Sequence, residues 1–155
     1  YITATLSDVA RVLDAGATTV ACDATARPRS DGSTFAGAVA AIHARKAIAF
    51  ADCARIEDAS AAFAAGADVL STTLCGYTAE TRGTPLPALE LVKAVAALDA
   101  FTVCEGGVAT PQQAATAFAF GADGVVVGTA LTNLDVLVRR FADAAVLARP
   151  ARLDA

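Results

Sequence analysis

Glu105 has the surroundings that proton transfer asks of a carboxylate. It closes the apolar run Phe101-Thr102-Val103-Cys104 and opens onto Gly106-Gly107. An acid held at the end of such a run faces the mouth at the strand ends, which suits a group that both takes and returns a proton. A structural salt bridge is the competing role, and the uncharged neighbours speak against it. Asp52, after Ile48-Ala49-Phe50-Ala51, and Asp23, after Thr19-Val20-Ala21-Cys22, hold equivalent positions. Each could orient substrate hydroxyls or a catalytic lysine, or could cap the loop that follows. Gly106 and Gly107, then Gly128 and Thr129 after Val125-Val126-Val127, mark two glycine-bearing loops. Without a Cβ the main chain comes close to an anion, and backbone N–H groups in such loops grip phosphate. One glycine alone reads equally well as a turn. Arg27, in the basic turn Arg27-Pro28-Arg29-Ser30-Asp31-Gly32, could meet an anionic substrate or sit in a solvated loop braced by Asp31. Thr73 and Tyr77, in Thr72-Thr73-Leu74-Cys75-Gly76-Tyr77, add hydroxyls beside a glycine turn. His43, Lys46 and Lys93 fall on expected helices, away from these groups. Cys22, Cys53, Cys75 and Cys104 lie 31, 22 and 29 residues apart, with no C-x-x-C and no metal-ligand cluster. They read as small reduced thiols in a core.

The elements that must position these groups emerge from an internal repeat. Ala-Gly-Ala-Thr at 15–18, Ala-Gly-Ala-Asp at 65–68 and Phe-Gly-Ala-Asp at 120–123 each follow an amphipathic, alanine-rich run and precede a β-branched one. That pattern is a helix ended by a left-handed glycine, then a tight turn into a strand. The glycines are 50 and 55 residues apart, with one more apolar run inside each interval, so the unit is about 25 residues, one strand plus one helix. The spacing predicts a helix over about 6–15 and strands near 19–23, 47–52, 69–73, 101–105 and 124–128. Helices are predicted near 34–46, 56–65, 87–98, 111–120 and 134–147, with Ser7, Ser33 and Thr110 as N-caps and Pro111 at a first helical position. Strands apolar along their whole length imply a parallel sheet covered on both faces. Asp23, Asp52, Thr72-Thr73, Glu105 and Thr129 then each end a different strand. An open doubly wound sheet binds at one switch point, whereas every strand of a (βα)₈ barrel ends at one shared mouth. The barrel is the better match: a single domain over residues 1–155, forming the last five βα units, with roughly three missing from the front.

Composition narrows the function. The chain is 55% hydrophobic and 18% charged, which excludes a disordered segment. Sixteen acids against 12 bases give a net charge of −4, so no nucleic-acid partner is expected. The longest uncharged stretch, residues 106–122, contains Gly-Gly, Pro111 and Gln112-Gln113, so no membrane span is expected either. The chain starts at Tyr1 without any methionine and reads as an incomplete translation product with no secretory signal in view.

Several segments carry a family resemblance. Tyr1-Ile2-Thr3, Asp23-Ala24-Thr25-Ala26-Arg27-Pro28-Arg29 with Asp31-Gly32, Ala51-Asp52-Cys53, Gly66-Ala67-Asp68, Thr72-Thr73-Leu74-Cys75-Gly76-Tyr77-Thr78, Glu105-Gly106 with Thr110-Pro111, and Val127-Gly128-Thr129-Ala130 resemble, in order, the bacterial N-acetylmannosamine-6-phosphate 2-epimerases. The first Asp-Ala-Thr and the Thr-Thr-Leu segments are fairly specific to that family; Gly-Ala-Asp and Val-Gly-Thr-Ala recur in many phosphate-binding barrels. The resemblance implies a barrel of the ribulose-phosphate-binding type that inverts C2 of an N-acetylated hexosamine 6-phosphate without a cofactor or metal, in sialic-acid catabolism. It implies a proton-transfer lysine on a strand ahead of Tyr1, Glu105 as the assisting glutamate and Asp52 as the family's fifth-strand aspartate. Asp23, Arg27, Thr73 and Tyr77 are the expected substrate contacts, and Gly106, Gly107, Gly128 and Thr129 the phosphate contacts. The expected protein is a cytoplasmic homodimer whose partner is a small sugar phosphate. Two positions depart from the pattern: Gly107 stands where the family has Arg or Lys, and Asn133 where it has a phosphate-binding arginine. The alternatives are another sugar-phosphate barrel isomerase or lyase, and a catalytically silent sugar-phosphate-binding module.

Overall fold

The computed structural model of the chain describes residues 3–147, so Tyr1 and Ile2 of the first motif lie outside the described residues. Helix α1 (Leu6–Asp14) comes first. Strand–helix units follow: β1 (Thr19–Asp23) and α2 (Phe35–Ala44), β2 (Ile48–Asp52) and α3 (Ile56–Ala64), β3 (Val69–Ser71) and α4 (Leu89–Ala96), β4 (Phe101–Glu105) and α5 (Pro111–Ala119). The last unit is β5 (Gly124–Val126), a short α6 (Thr129–Thr132) and α7 (Leu134–Leu147). The four residues of α6 are too few to show a period and were not foreseen. β3 and β5 end earlier than their apolar runs. After β3 the backbone turns at once, with Cys75 N–H donating to Thr72 O (3.0 Å) and Tyr77 N–H to Leu74 O (3.1 Å). After β5 the carbonyl of Gly128 accepts from Leu131 and Thr132 and starts α6.

Two expected caps are corrected. Thr5, not Ser7, caps α1: its hydroxyl accepts from Asp8 N–H (3.1 Å), and the Asp8 carboxylate accepts from Thr5 N–H (3.2 Å). Thr34, not Ser33, caps α2 by accepting from Gly37 N–H (3.1 Å), while Ser33 donates its hydroxyl to Asp31 (2.6 Å). Thr110 caps α5 and Pro111 opens it, as the sequence indicates.

All pairings are parallel, in the order β1-β2-β3-β4-β5. A doubly wound sheet reverses its strand order partway; this one never does. With right-handed crossovers, sequential order puts every helix on the same side of a curling sheet. Adjacent helices accordingly touch, α1 with α2, α3 with α4 and α4 with α5. The core lies between that helical layer and one face of the strands, where Val20, Cys22, Ala49, Ala51, Leu70 and Cys104 meet Val9, Ile42, Ala59, Val92 and Val95. The other face, expected to be covered as well, is covered only in part: Ile48 is 45%, Phe101 53% and Val126 40% exposed, while Val103 and Asp52 are buried. In a (βα)₈ barrel that face is the interior, which is filled by layers of side chains from all the strands.

The Gly-Ala-Asp repeats have a structural task. Asp68 accepts a hydrogen bond from Ala49 N–H (2.7 Å), and Asp123 accepts from Thr102 N–H (2.8 Å). Each carboxylate thereby ties the amino end of its own strand to that of the strand before it, at the end of the sheet opposite Asp23, Asp52 and Glu105. Among the described residues, no helix is long and apolar enough to cross a membrane.

Candidate active site

Parallel pairing brings the strand ends together. Asp23 lies opposite Asp52 in register, and Asp52 opposite Ser71. Glu105 ends β4 opposite Val126. Thr72, fully buried, locks the Glu105 backbone from the neighbouring strand: its hydroxyl donates to Glu105 O (2.9 Å) and accepts from Glu105 N–H (3.1 Å). The half-buried Glu105 carboxylate accepts from the Thr73 hydroxyl (3.2 Å), which lies 2.8 Å from the Ser71 hydroxyl.

Asp52 is buried, and burial pushes its carboxyl up to about 6; repulsion from Glu105 and Asp23 adds to this, and a hydrogen bond with Thr73 opposes it. Thr73 thus stands between two carboxylates. A hydroxyl carries one proton. In the structure that proton is given to Glu105.

A cavity of about 530 Å³ opens in front of Glu105. Thr73, Tyr77, Glu105, Gly106, Gly107, Gly128 and Thr129 all line it. Asp52 borders the cavity only through Thr73. The sequence reading missed Arg140, which reaches the same cavity from α7, and Val136 one turn earlier. Arg140 lies mid-helix in a mixed-charge run, where a solvated arginine is the ordinary expectation.

The departure at position 107 has a steric cause. Gly107 has φ +72°, and a Cβ there would stand 2.3 Å from Leu86 Cβ. Leu86 belongs to the long β3–α4 connection, which packs on the loop after β4. An arginine or lysine at 107 would collide with it. Gly106 differs: a Cβ there would only touch the Tyr77 ring at 3.5 Å, and it is the backbone, at φ +102°, that favours glycine.

Asp23 and Arg27 are not brought into this cavity. They line a smaller depression with Ala4, Pro28, Arg29 and Ser30. Asp23 accepts from Thr25 N–H (2.9 Å), from the Thr25 hydroxyl (2.7 Å) and from the Arg27 guanidinium. Burial pushes its carboxyl up, but these bonds outweigh it and hold Asp23 below the usual range. Arg29 donates to Ala4 O (2.9 Å) and to Asp23 O, and Asp31 accepts from Leu6 N–H (2.8 Å), so the basic turn is stapled to the start of α1. His43 is an exposed α2 residue with Nε2 2.8 Å from Asp68. Lys46 lies in the turn before β2, and Lys93 is in α4. The four cysteines are buried and unpaired, and burial raises their thiols, Cys22 to about 11.

Sequential parallel βα units, polar groups at the carboxyl ends of the strands and glycine loops after the last two define part of a (βα)₈ barrel. A 3-hexulose-6-phosphate synthase, 23% identical with TM-score 0.63 over 82% of this chain and 60% of its own, shares that fold. The chain belongs to the NanE family, described as "Putative N-acetylmannosamine-6-phosphate epimerase", whose model matches residues 1–146. A relative from Corynebacterium glutamicum (strain R), described as "Putative N-acetylmannosamine-6-phosphate 2-epimerase", is 42% identical over 144 residues, 92% of this chain and 62% of that protein. The "Bifunctional enzyme NanE/NanK" of Brucella suis biovar 1 is 43% identical over 143 residues, 92% of this chain and 27% of that protein. The solved N-acetylmannosamine-6-phosphate 2-epimerase of Clostridium perfringens superposes with TM-score 0.88 at 34% identity, covering 93% of this chain and 63% of that one. The chain therefore spans a little over three fifths of the Corynebacterium and Clostridium proteins.

Proposed function

We propose that the protein is an isomerase that epimerises C2 of N-acetylmannosamine 6-phosphate to give N-acetylglucosamine 6-phosphate. The observation that carries this reading is the cavity in which the Glu105 carboxylate faces the same space as the glycine loops after β4 and β5. In the open-chain sugar the C2 proton lies α to the aldehyde, so a base can remove it and an acid can return it on the other face. The aldehyde itself delocalises the carbanion as an enolate, and no cofactor is called for. Glu105, held by Thr72 and hydrogen-bonded by Thr73, serves one side of that exchange together with Asp52. The resemblance assigns the other side to a lysine ahead of Tyr1. Gly106, Gly107, Gly128 and Thr129 hold the phosphate, a remote handle that fixes the reacting carbon. Tyr77 and Thr73 contact the sugar, and Asp23 and Arg27, in a separate depression after β1, are the outlying substrate contacts of this reading. The reading extends to a cytoplasmic homodimer in amino-sugar catabolism; four unpaired buried thiols suit a reducing compartment.

Incubation with N-acetylmannosamine 6-phosphate in D₂O tests it. Deuterium at C2 of both epimers is the expected result. Binding without exchange would make the protein a silent sugar-phosphate-binding module, and neither binding nor exchange would point to another substrate of the barrel class.

A further inference from the structure

The cavity contains a cation that the glycine loops alone do not provide. Arg140 lines it from the middle of α7, together with Gly106 and Gly107 of one loop and Gly128 and Thr129 of the other. Its Nη1 donates to Ala109 O at 3.2 Å, which fastens the side chain to the loop after β4. That bond uses one of the five N–H donors of a guanidinium. The acceptor is a neutral carbonyl, and none of the ion pairs among the described residues includes Arg140. Arg140 thus lines the cavity without a carboxylate in ion-pair contact, although Glu105 lines the same cavity.

Asn133 carries no charge and is not among the residues lining the cavity. Asn133 Oδ1 accepts from Val136 N–H (3.1 Å) and so caps α7. Seven residues on, two helical turns return the chain to nearly the same face. Val136 and Arg140, four apart, both present that face to the cavity. The helix that Asn133 starts therefore delivers a guanidinium to the wall that the Asn133 side chain does not serve.

We infer that Arg140 supplies the charged contact to a phosphomonoester seated between the two glycine loops. This rests on the proposed function for the identity of the sugar, though not for the phosphate. Arginine suits the task, since its planar fork meets phosphate oxygens two at a time.

Titration calorimetry with three probes tests the inference: inorganic phosphate, N-acetylmannosamine 6-phosphate and unphosphorylated N-acetylmannosamine. The proteins are the parent chain, Arg140→Ala, Arg140→Lys and Arg139→Ala. The last makes the same charge change one residue away, on a different helix face. Arg140 is exposed, and melting curves on each variant check that the fold survives. Arg140→Ala is expected to weaken both phosphorylated probes by about 10- to 100-fold, with Arg140→Lys intermediate and Arg139→Ala like the parent. The unphosphorylated sugar should be indifferent to all three. Unchanged phosphate binding in Arg140→Ala, or an equal loss in Arg139→Ala, overturns the inference. Undiminished epimerisation by Arg140→Ala would leave the proposed function standing and remove Arg140 from it. Inorganic phosphate binding that depends on Arg140, with no binding of the sugar phosphate, would uphold Arg140 and overturn the epimerase reading. A parent chain that binds neither phosphorylated probe overturns both.

Discussion

Thr73 and its two carboxylates fix how the site responds to pH. Folded Asp52 titrates at about 6, against about 4 for an unfolded aspartate. Between those values the folded chain holds a proton that the unfolded chain has released, so stability declines as pH rises through the window. Asp52→Asn removes that decline. Denaturant titrations at pH 4 and pH 7 should show the variant gaining about 1–3 kcal/mol on the parent between the two; an unchanged difference would mean that folding does not raise the Asp52 carboxyl. Thr72 makes a separate prediction. Thr72→Val keeps the shape but leaves the buried backbone groups of Glu105 short of a partner, at a cost of about 1–3 kcal/mol. Thermal melts would register it, and turnover should fall as Glu105 loses its fixed direction. The place of Glu105 in the site was legible in the sequence because an acid ending an apolar, uncharged run has no nearby cation to pair with and little structural work to do. That of Arg140 was not, because what brings α7 across the mouth is three-dimensional packing.

At the scale of elements, the repeats are legible as helix-to-strand turns, but the purpose of their aspartates is not. Asp68 and Asp123 satisfy strand N–H groups 19 and 21 residues upstream, pairings that no local pattern encodes. Asp123→Ala should therefore destabilise the chain by about 1–3 kcal/mol and leave phosphate affinity unchanged. A melt combined with a phosphate titration checks both halves, and a loss of affinity at unchanged stability would place Asp123 at the ligand instead. The cap errors have a local origin. Thr5 and Ser7, and likewise Ser33 and Thr34, offer hydroxyls within two residues of each other, so side-chain type alone does not choose between them. The capping box to Asp8 selects Thr5, and the competing bond to Asp31 diverts Ser33.

Across the whole molecule, the parallel strand order follows from the βα rhythm, and the exposed second face follows from that order. The sequence showed apolar strands but not which face the helices would take. Ile48, Phe101 and Val126 on the sheet, and separately Leu134, Val138 and Phe141 on α7, are exposed apolar side chains, and the sheet face is the one a full (βα)₈ barrel encloses. The 155-residue chain should accordingly self-associate in sedimentation velocity, and Phe101→Lys combined with Val126→Lys should shift it toward monomer. A parent chain that is monomeric at all concentrations would show that this surface is not a sticking point.

In the proposed reaction Glu105 moves the proton while the glycine loops hold the phosphate, and steady-state kinetics of two variants, made in a chain extended ahead of Tyr1 to the proton-transfer lysine, separate these roles. Glu105→Gln keeps the shape and a hydrogen bond but cannot accept the proton, so kcat should fall by about 10²–10⁴ with KM little changed. In Gly128→Val the added Cβ meets no protein atom within 4 Å; Gly128 lines the cavity, so KM should rise first, with a melting curve to check that the fold tolerates valine at φ −94°, ψ −98°. A Glu105→Gln variant with near-full turnover would remove Glu105 from the proposed proton transfer.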